Sequence, residues 1–92
     1  MASPVRPMRL RHASGSVGTV AEKVSVNRGL GQYIRISNTH ATQDFQISFN
    51  GGRDYYTIAS GDPPLDVVAL FHFFYVKGSG ASTTYEALIG EG

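Results

Sequence analysis

Two short runs set the limits on what this chain can fold into. In QYIRISN, Ile34 and Ile36 alternate with Tyr33, Arg35 and Ser37. In DFQISFN, Phe45, Ile47 and Phe49 alternate with Gln46 and Ser48. A period of two places one set of side chains on one face of an extended strand, so both runs read as half-buried β-strands. The second run leads into Asn50, Gly51 and Gly52, then into a return strand over 54–59. Asn-Gly suits positive φ, and a further glycine admits a bulge or a longer loop, so QISFNGGRDYYTI reads as a β-hairpin.

Breakers punctuate the rest of the chain at similar intervals. Ser16 to Val26 alternates well enough for a strand, followed by turn-like Asn27-Arg28-Gly29. Ser60-Gly61-Asp62-Pro63-Pro64 and Gly78-Ser79-Gly80-Ala81-Ser82 are turns, and Thr83 to Ile89 is a final strand. The stretch from Leu65 to Lys77 is apolar on both faces, with Phe71, Phe73 and Tyr75 on one side and Leu70, Phe74 and Val76 on the other. It reads as two strands bent near Ala69-Leu70, or as one strand crossing the fold. A strand apolar on both faces lies between two layers. In a domain this small one of those layers is expected to be another subunit, which assigns Phe71, Phe73 and Tyr75 to an oligomer interface. The expectation is an all-β domain over 16–92, a small antiparallel sandwich or barrel of six to seven strands.

Residues 1–15 differ from this pattern. They carry Arg6, Arg9, Arg11 and His12, two prolines and no acid. Pro4 and Pro7 favour an extended path. The segment reads as an extended basic arm, with Val5, Met8 and Leu10 offering apolar burial against a partner and Arg6, Arg9 and Arg11 offering charge. A frayed terminus is the alternative reading.

Chemistry is hard to find. With no cysteine in 92 residues there is neither a disulfide nor a thiolate metal site. His12, His40 and His72 are far apart in sequence, and no acidic loop has calcium-ligand spacing. There is no nucleophile motif and no phosphate-binding glycine loop before a helix. A net charge of +1 argues against a general nucleic-acid binder. No apolar run reaches the length of a membrane span, and the first residues lack the apolar core of a secretory signal. These readings select no catalytic residue, metal or cofactor, and the expectation is a protein that is not an enzyme. Tyr33, Tyr55 and Tyr56 offer stacking surfaces, which keeps a carbohydrate- or receptor-binding β-module open.

The ordered set YIRISN, ISFNGG, the Gly61-Asp62 turn, YVKGSGAS over 75–82 and Tyr85-Glu86 resembles small virion structural proteins of tailed bacteriophages. The likeness covers about residues 30–89. It rests on turn and core positions and does not include the arm. It implies a sandwich-like domain within a virion and, most directly, a capsid decoration or cement protein on the outer shell. Such a protein would contact the major capsid protein as a homo-oligomer, with a trimer as the order the resemblance suggests. A neck or tail component, ring-forming or fibre-attached, is the alternative position in the particle.

Overall fold

A computed structural model describes residues 9–26 and 29–92. They form eight strands: β1 (Arg9–Val17), β2 (Glu22–Ser25), β3 (Gly31–Asn38), β4 (Phe45–Ser48), β5 (Tyr56–Ile58), β6 (Leu65–Phe71), β7 (Phe73–Gly78) and β8 (Thr83–Glu91). No helix occurs among the described residues. All pairings are antiparallel, in two four-stranded sheets ordered β1-β8-β3-β6 and β2-β7-β4-β5. Successive strands alternate between the sheets except at the β4–β5 hairpin, an order that is the double Greek key of a jelly roll.

The alternation read from the sequence builds the core. Ile34 and Ile36 of β3, Phe45 and Ile47 of β4, Ile58 of β5 and Ile89 of β8 are buried between the sheets. Phe49, Phe71 and Phe74 meet there with ring centroids 5.6–6.0 Å apart, and Phe45 stacks on Tyr85 at 4.8 Å. These rings come from both sheets, so their burial fastens the two layers together.

Eight strands form instead of six to seven, and the boundaries differ from the expectation in two places. First, residues 9–15, read as arm, pair with β8 from Arg9↔Glu91 onward as the larger part of β1. Residue 16 therefore does not mark where the sheet begins. The strand read over 16–26 is divided by a turn after Gly18, leaving β2 to pair with β7. Residues 1–8, which include Val5, Arg6 and Met8, and residues 27 and 28, which the sequence suggested as part of a turn, lie outside the described residues. Second, the run 65–77 divides at His72. Phe71 pairs with Gly31 in the first sheet, while Phe73 pairs with Ser25 in the second. The carbonyl of His72 accepts the Val26 amide at this corner.

The corner corrects the expected oligomer interface. The shift between sheets turns Phe71 into the core, whereas Phe73 and Tyr75 face outward on the second sheet. Phe71 is therefore not available to a partner subunit. A separate irregularity sits at Ala69-Leu70, where two residues of β6 oppose Gln32 alone, a bulge on an edge strand.

The hairpin is longer than a tight two-residue turn. Gly51 and Gly52 both have positive φ, 75° and 87°. The loop closes around Ser48, whose hydroxyl accepts the Asn50 and Gly52 amides, and around Asn50, whose Oδ1 accepts the Asp54 amide. At another loop, Asn38 donates its amide to the carbonyls of Gln43 and Ile58 and accepts the His40 amide. His40 Nδ1 in turn accepts the Thr42 and Gln43 amides. His40 thus serves as a loop cap, which gives this histidine a structural role.

Gly31 has a steric role at the corner. A Cβ there would stand 2.4 Å from the Phe71 ring, which is buried and cannot swing aside. Gly31→Ala is expected to cost about 1–3 kcal/mol, the range for overpacking a filled core. Gly18→Ala, where a Cβ meets nothing within 4 Å, is the control and should stay within about 0.5 kcal/mol. Urea denaturation of both variants checks this; equal midpoints would contradict the packing at the corner.

Candidate binding surfaces

The strands turn alternate side chains away from the core, so each sheet presents an outward face whose composition follows from register. On the first sheet, Leu10 pairs with Gly90, Gly90 with Tyr33 and Tyr33 with Val68, which places these residues in one row across all four strands. Val68 is 85% exposed, Leu70 72% and Leu10 57%. The bulge exposes Ala69 together with Leu70, and a shallow hollow of about 560 Å³ is lined by Gln32, Tyr33, Val68, Ala69 and Leu70. Leu88 stands in the next row, between His12 and Arg35. Scattered apolar residues are ordinary on a protein surface, whereas Tyr33, Val68, Ala69 and Leu70 are grouped, with Leu10 across Gly90 from them, which makes this face a candidate contact surface.

Beside the row, Asp66 is held by two partners on β3. Tyr33 donates its hydroxyl to Asp66 Oδ1 at 2.6 Å, and Arg35 donates from Nε to Oδ1 at 2.7 Å and from Nη2 to Oδ2 at 3.1 Å. The Arg35 hydrogen bonds, then that of Tyr33, hold the Asp66 carboxyl down at about 2. The same hydrogen bond to Asp66 raises the Tyr33 hydroxyl above its ordinary value. The three groups fasten the edge strand β6 to β3 on the solvent side.

On the second sheet, Lys23, Phe73, Tyr75 and Lys77 face outward. Lys23 Nζ lies 4.4 Å from the Phe73 ring centroid, and Lys77 Nζ lies 4.1 Å from that of Tyr55. Phe73 and Tyr75 meet edge to face at 5.8 Å.

These positions sort the residues singled out in the sequence. Leu10 belongs to the apolar row. Arg11 is engaged within the chain, donating from Nε to the buried carboxylate of Glu91 at 2.9 Å, which joins β1 to the end of β8. Arg9 is exposed at the start of β1. Of the tyrosines that suggested a carbohydrate module, Tyr33 lies on the first sheet, apart from the other two, whereas Tyr55 and Tyr56 line one open hollow with Phe49, Asn50 and Asp54. Asn50, Gly51 and Gly52 build the hairpin loop. No group of three His, Cys, Asp or Glu side chains among the described residues could hold a metal ion. No helix among them is long and apolar enough to cross a membrane.

The sequence pattern did not reveal the apolar row or the lysine–aromatic contacts. The row depends on cross-strand register and on the bulge, and the contacts depend on Lys23 and Lys77 lying beside rings from other segments.

Because the Asp66 value is depressed in the folded chain, its contribution to stability is present above the ordinary carboxylate value of 3.8 and is lost as pH falls through about 2. Carboxyl carbon shifts followed by NMR should show Asp66 titrating near pH 2 and moving upward in Arg35→Gln and, to a smaller extent, in Tyr33→Phe. Titration of the unaltered chain in the ordinary carboxylate range would contradict the trio.

No protein-family model matches the chain and no curated protein matches it in sequence, so the functional reading rests on these surfaces and on the resemblance of residues 30–89.

Proposed function

We propose that this protein is a virion structural component of a tailed bacteriophage, a capsid decoration or cement protein that binds the outer shell and braces neighbouring major capsid subunits. The observation that carries the proposal is the exposed apolar row from Leu10 to Val68 and Leu70 on the outward face of β1-β8-β3-β6. A four-stranded face bearing such a row suits a brace, because it gains stability by covering apolar surface only where the partner lattice is present. The phage-like pattern of residues 30–89 supplies the virion context. The jelly-roll order supports it only by analogy, since one fold hosts many functions.

In this reading the row is the contact with the shell, and the protein acts by binding, without a catalytic residue or cofactor. A homo-oligomer remains part of the proposal, with Phe73 and Tyr75 available to it and Phe71 not. The trimer order comes from the resemblance alone. A place in the neck or tail is the second reading, since the same row would serve between the subunits of a ring. Copy number in the particle separates the two, with hundreds expected for cement and tens for a neck or tail ring.

The test is a chain carrying Val68→Glu and Leu70→Glu. Full burial of each wild-type side chain contributes about 1.5–3 kcal/mol, so losing both should weaken binding to decoration-free particles by more than about a hundredfold. The β-rich circular dichroism spectrum should persist, because both side chains are exposed. Unchanged binding by the folded variant would remove the row from the contact.

A further inference from the structure

The outward face of the second sheet carries a chemistry that the shell-binding row does not use. Lys23, on β2, pairs in register with Tyr75 on β7, and Lys77 follows two residues along β7. The spacing of adjacent strands and the rise along a strand put the two lysines about 8 Å apart at the backbone. Their ammonium groups lean apart, Lys23 toward Phe73 and Lys77 toward Tyr55 across β4, so the two charges stand farther apart than the two backbones.

Both ammonium groups rest on rings, Lys23 on Phe73 and Lys77 on Tyr55. An ammonium over a ring face is held in place by the ring's negative face while its remaining donors stay open. The ion pairs among the described residues are Arg11–Glu91 and Arg35–Asp66, both on the first sheet, so neither lysine is neutralised by a carboxylate there. The acids nearby stand aside. Glu22 alternates with Lys23 and so points to the opposite side of β2, where its charge is felt by Tyr85. Asp44 precedes the first residue of β4, and Asp54, next to Tyr55, accepts the Asn50 side-chain amide. Phe73 and Tyr75 fill the space between the lysines with rigid, partly exposed apolar surface.

We propose that Lys23, Phe73, Tyr75, Lys77 and Tyr55 form a docking strip for an extended acidic segment of a protein partner, with one carboxylate set on each lysine. The charge complementarity is local. With a net charge of +1 the chain lacks the broad basic surface that nucleic acid requires. The lysines also cover ring faces that a sugar would need for stacking. The proposal is independent of the shell-binding reading, since it uses the other sheet's outward face.

The experiment titrates the full chain against a fluorescently labelled peptide of about nine residues, with Glu at alternate positions and Val between, and follows anisotropy. A Gln-for-Glu peptide, a thymidine oligonucleotide and heparin are the comparison probes. The Glu peptide is expected to bind, to weaken as salt rises from about 0.05 to 0.3 M, and to bind at least about tenfold more tightly than the Gln peptide. The double variant Lys23→Gln, Lys77→Gln should lose about tenfold while keeping its β spectrum, and the Val68→Glu, Leu70→Glu chain should bind the peptide as the unaltered chain does. Absence of binding by the Glu peptide, equal binding of the two peptides, or an unchanged double variant would overturn the proposal. So would lysine-dependent binding of the oligonucleotide or heparin in preference to the Glu peptide.

Discussion

The corner at His72 is the constraint on which the rest of the structure depends. One continuous apolar segment crosses from the first sheet to the second there, and the crossing decides which aromatic rings close the core and which remain outside. Phe71 and Phe74 turn inward from opposite layers and meet Phe49, so the interior of a short chain is filled by rings from both sheets. Gly31 makes the crossing possible, since its missing side chain leaves the place the Phe71 ring occupies. The same turn leaves Phe73 and Tyr75 on the outward face of the second sheet, where Lys23 settles on the first of them. Core and surface are thus two consequences of one change in direction.

A domain of this size without disulfides depends on such economy, because little interior is available to stabilise it. The loops help by satisfying their own backbone groups. Ser48 and Asn50 close the hairpin loop, and Asn38 with His40 closes the loop after β3. Three of the four edge strands are blunted by different means. β2 and β5 are short, and β6 follows two prolines, carries a bulge and is tied to β3 through Asp66. These devices discourage strand-to-strand pairing and leave the broad sheet faces as the surfaces for contact.

The central strands were legible because their inward positions hold large apolar side chains at a strict period of two: Ile34 and Ile36, then Phe45 and Ile47. β1 was not legible for a physical reason. Its inward positions Ala13 and Gly15 are small, and at Gly15 the Tyr85 ring takes the space, since a Cβ there would stand 2.9 Å from the Tyr85 hydroxyl. A strand built to accommodate its neighbour's bulk shows no alternation of its own, and its arginines read as a solvated arm. The corner was hidden because Phe71-His72-Phe73 preserves the alternation while the chain changes sheets. Of the candidate surfaces, the sequence offered Leu10, Tyr33, Tyr55, Phe73 and Tyr75. The partners that complete each surface are neighbours across strands, which register alone assigns.

The most direct measurement of the central claim is the accessibility of individual aromatic rings at the corner. With a soluble paramagnetic agent added, NMR signals of the Phe73 and Tyr75 rings should broaden, while those of Phe71 and Phe74 stay sharp and show cross-relaxation with the Phe49 ring. Broadening of Phe71 alongside Phe73, without contact between Phe71 and Phe49, would mean that the chain does not change sheets at His72. The assignment of core and outward faces would then fail with it.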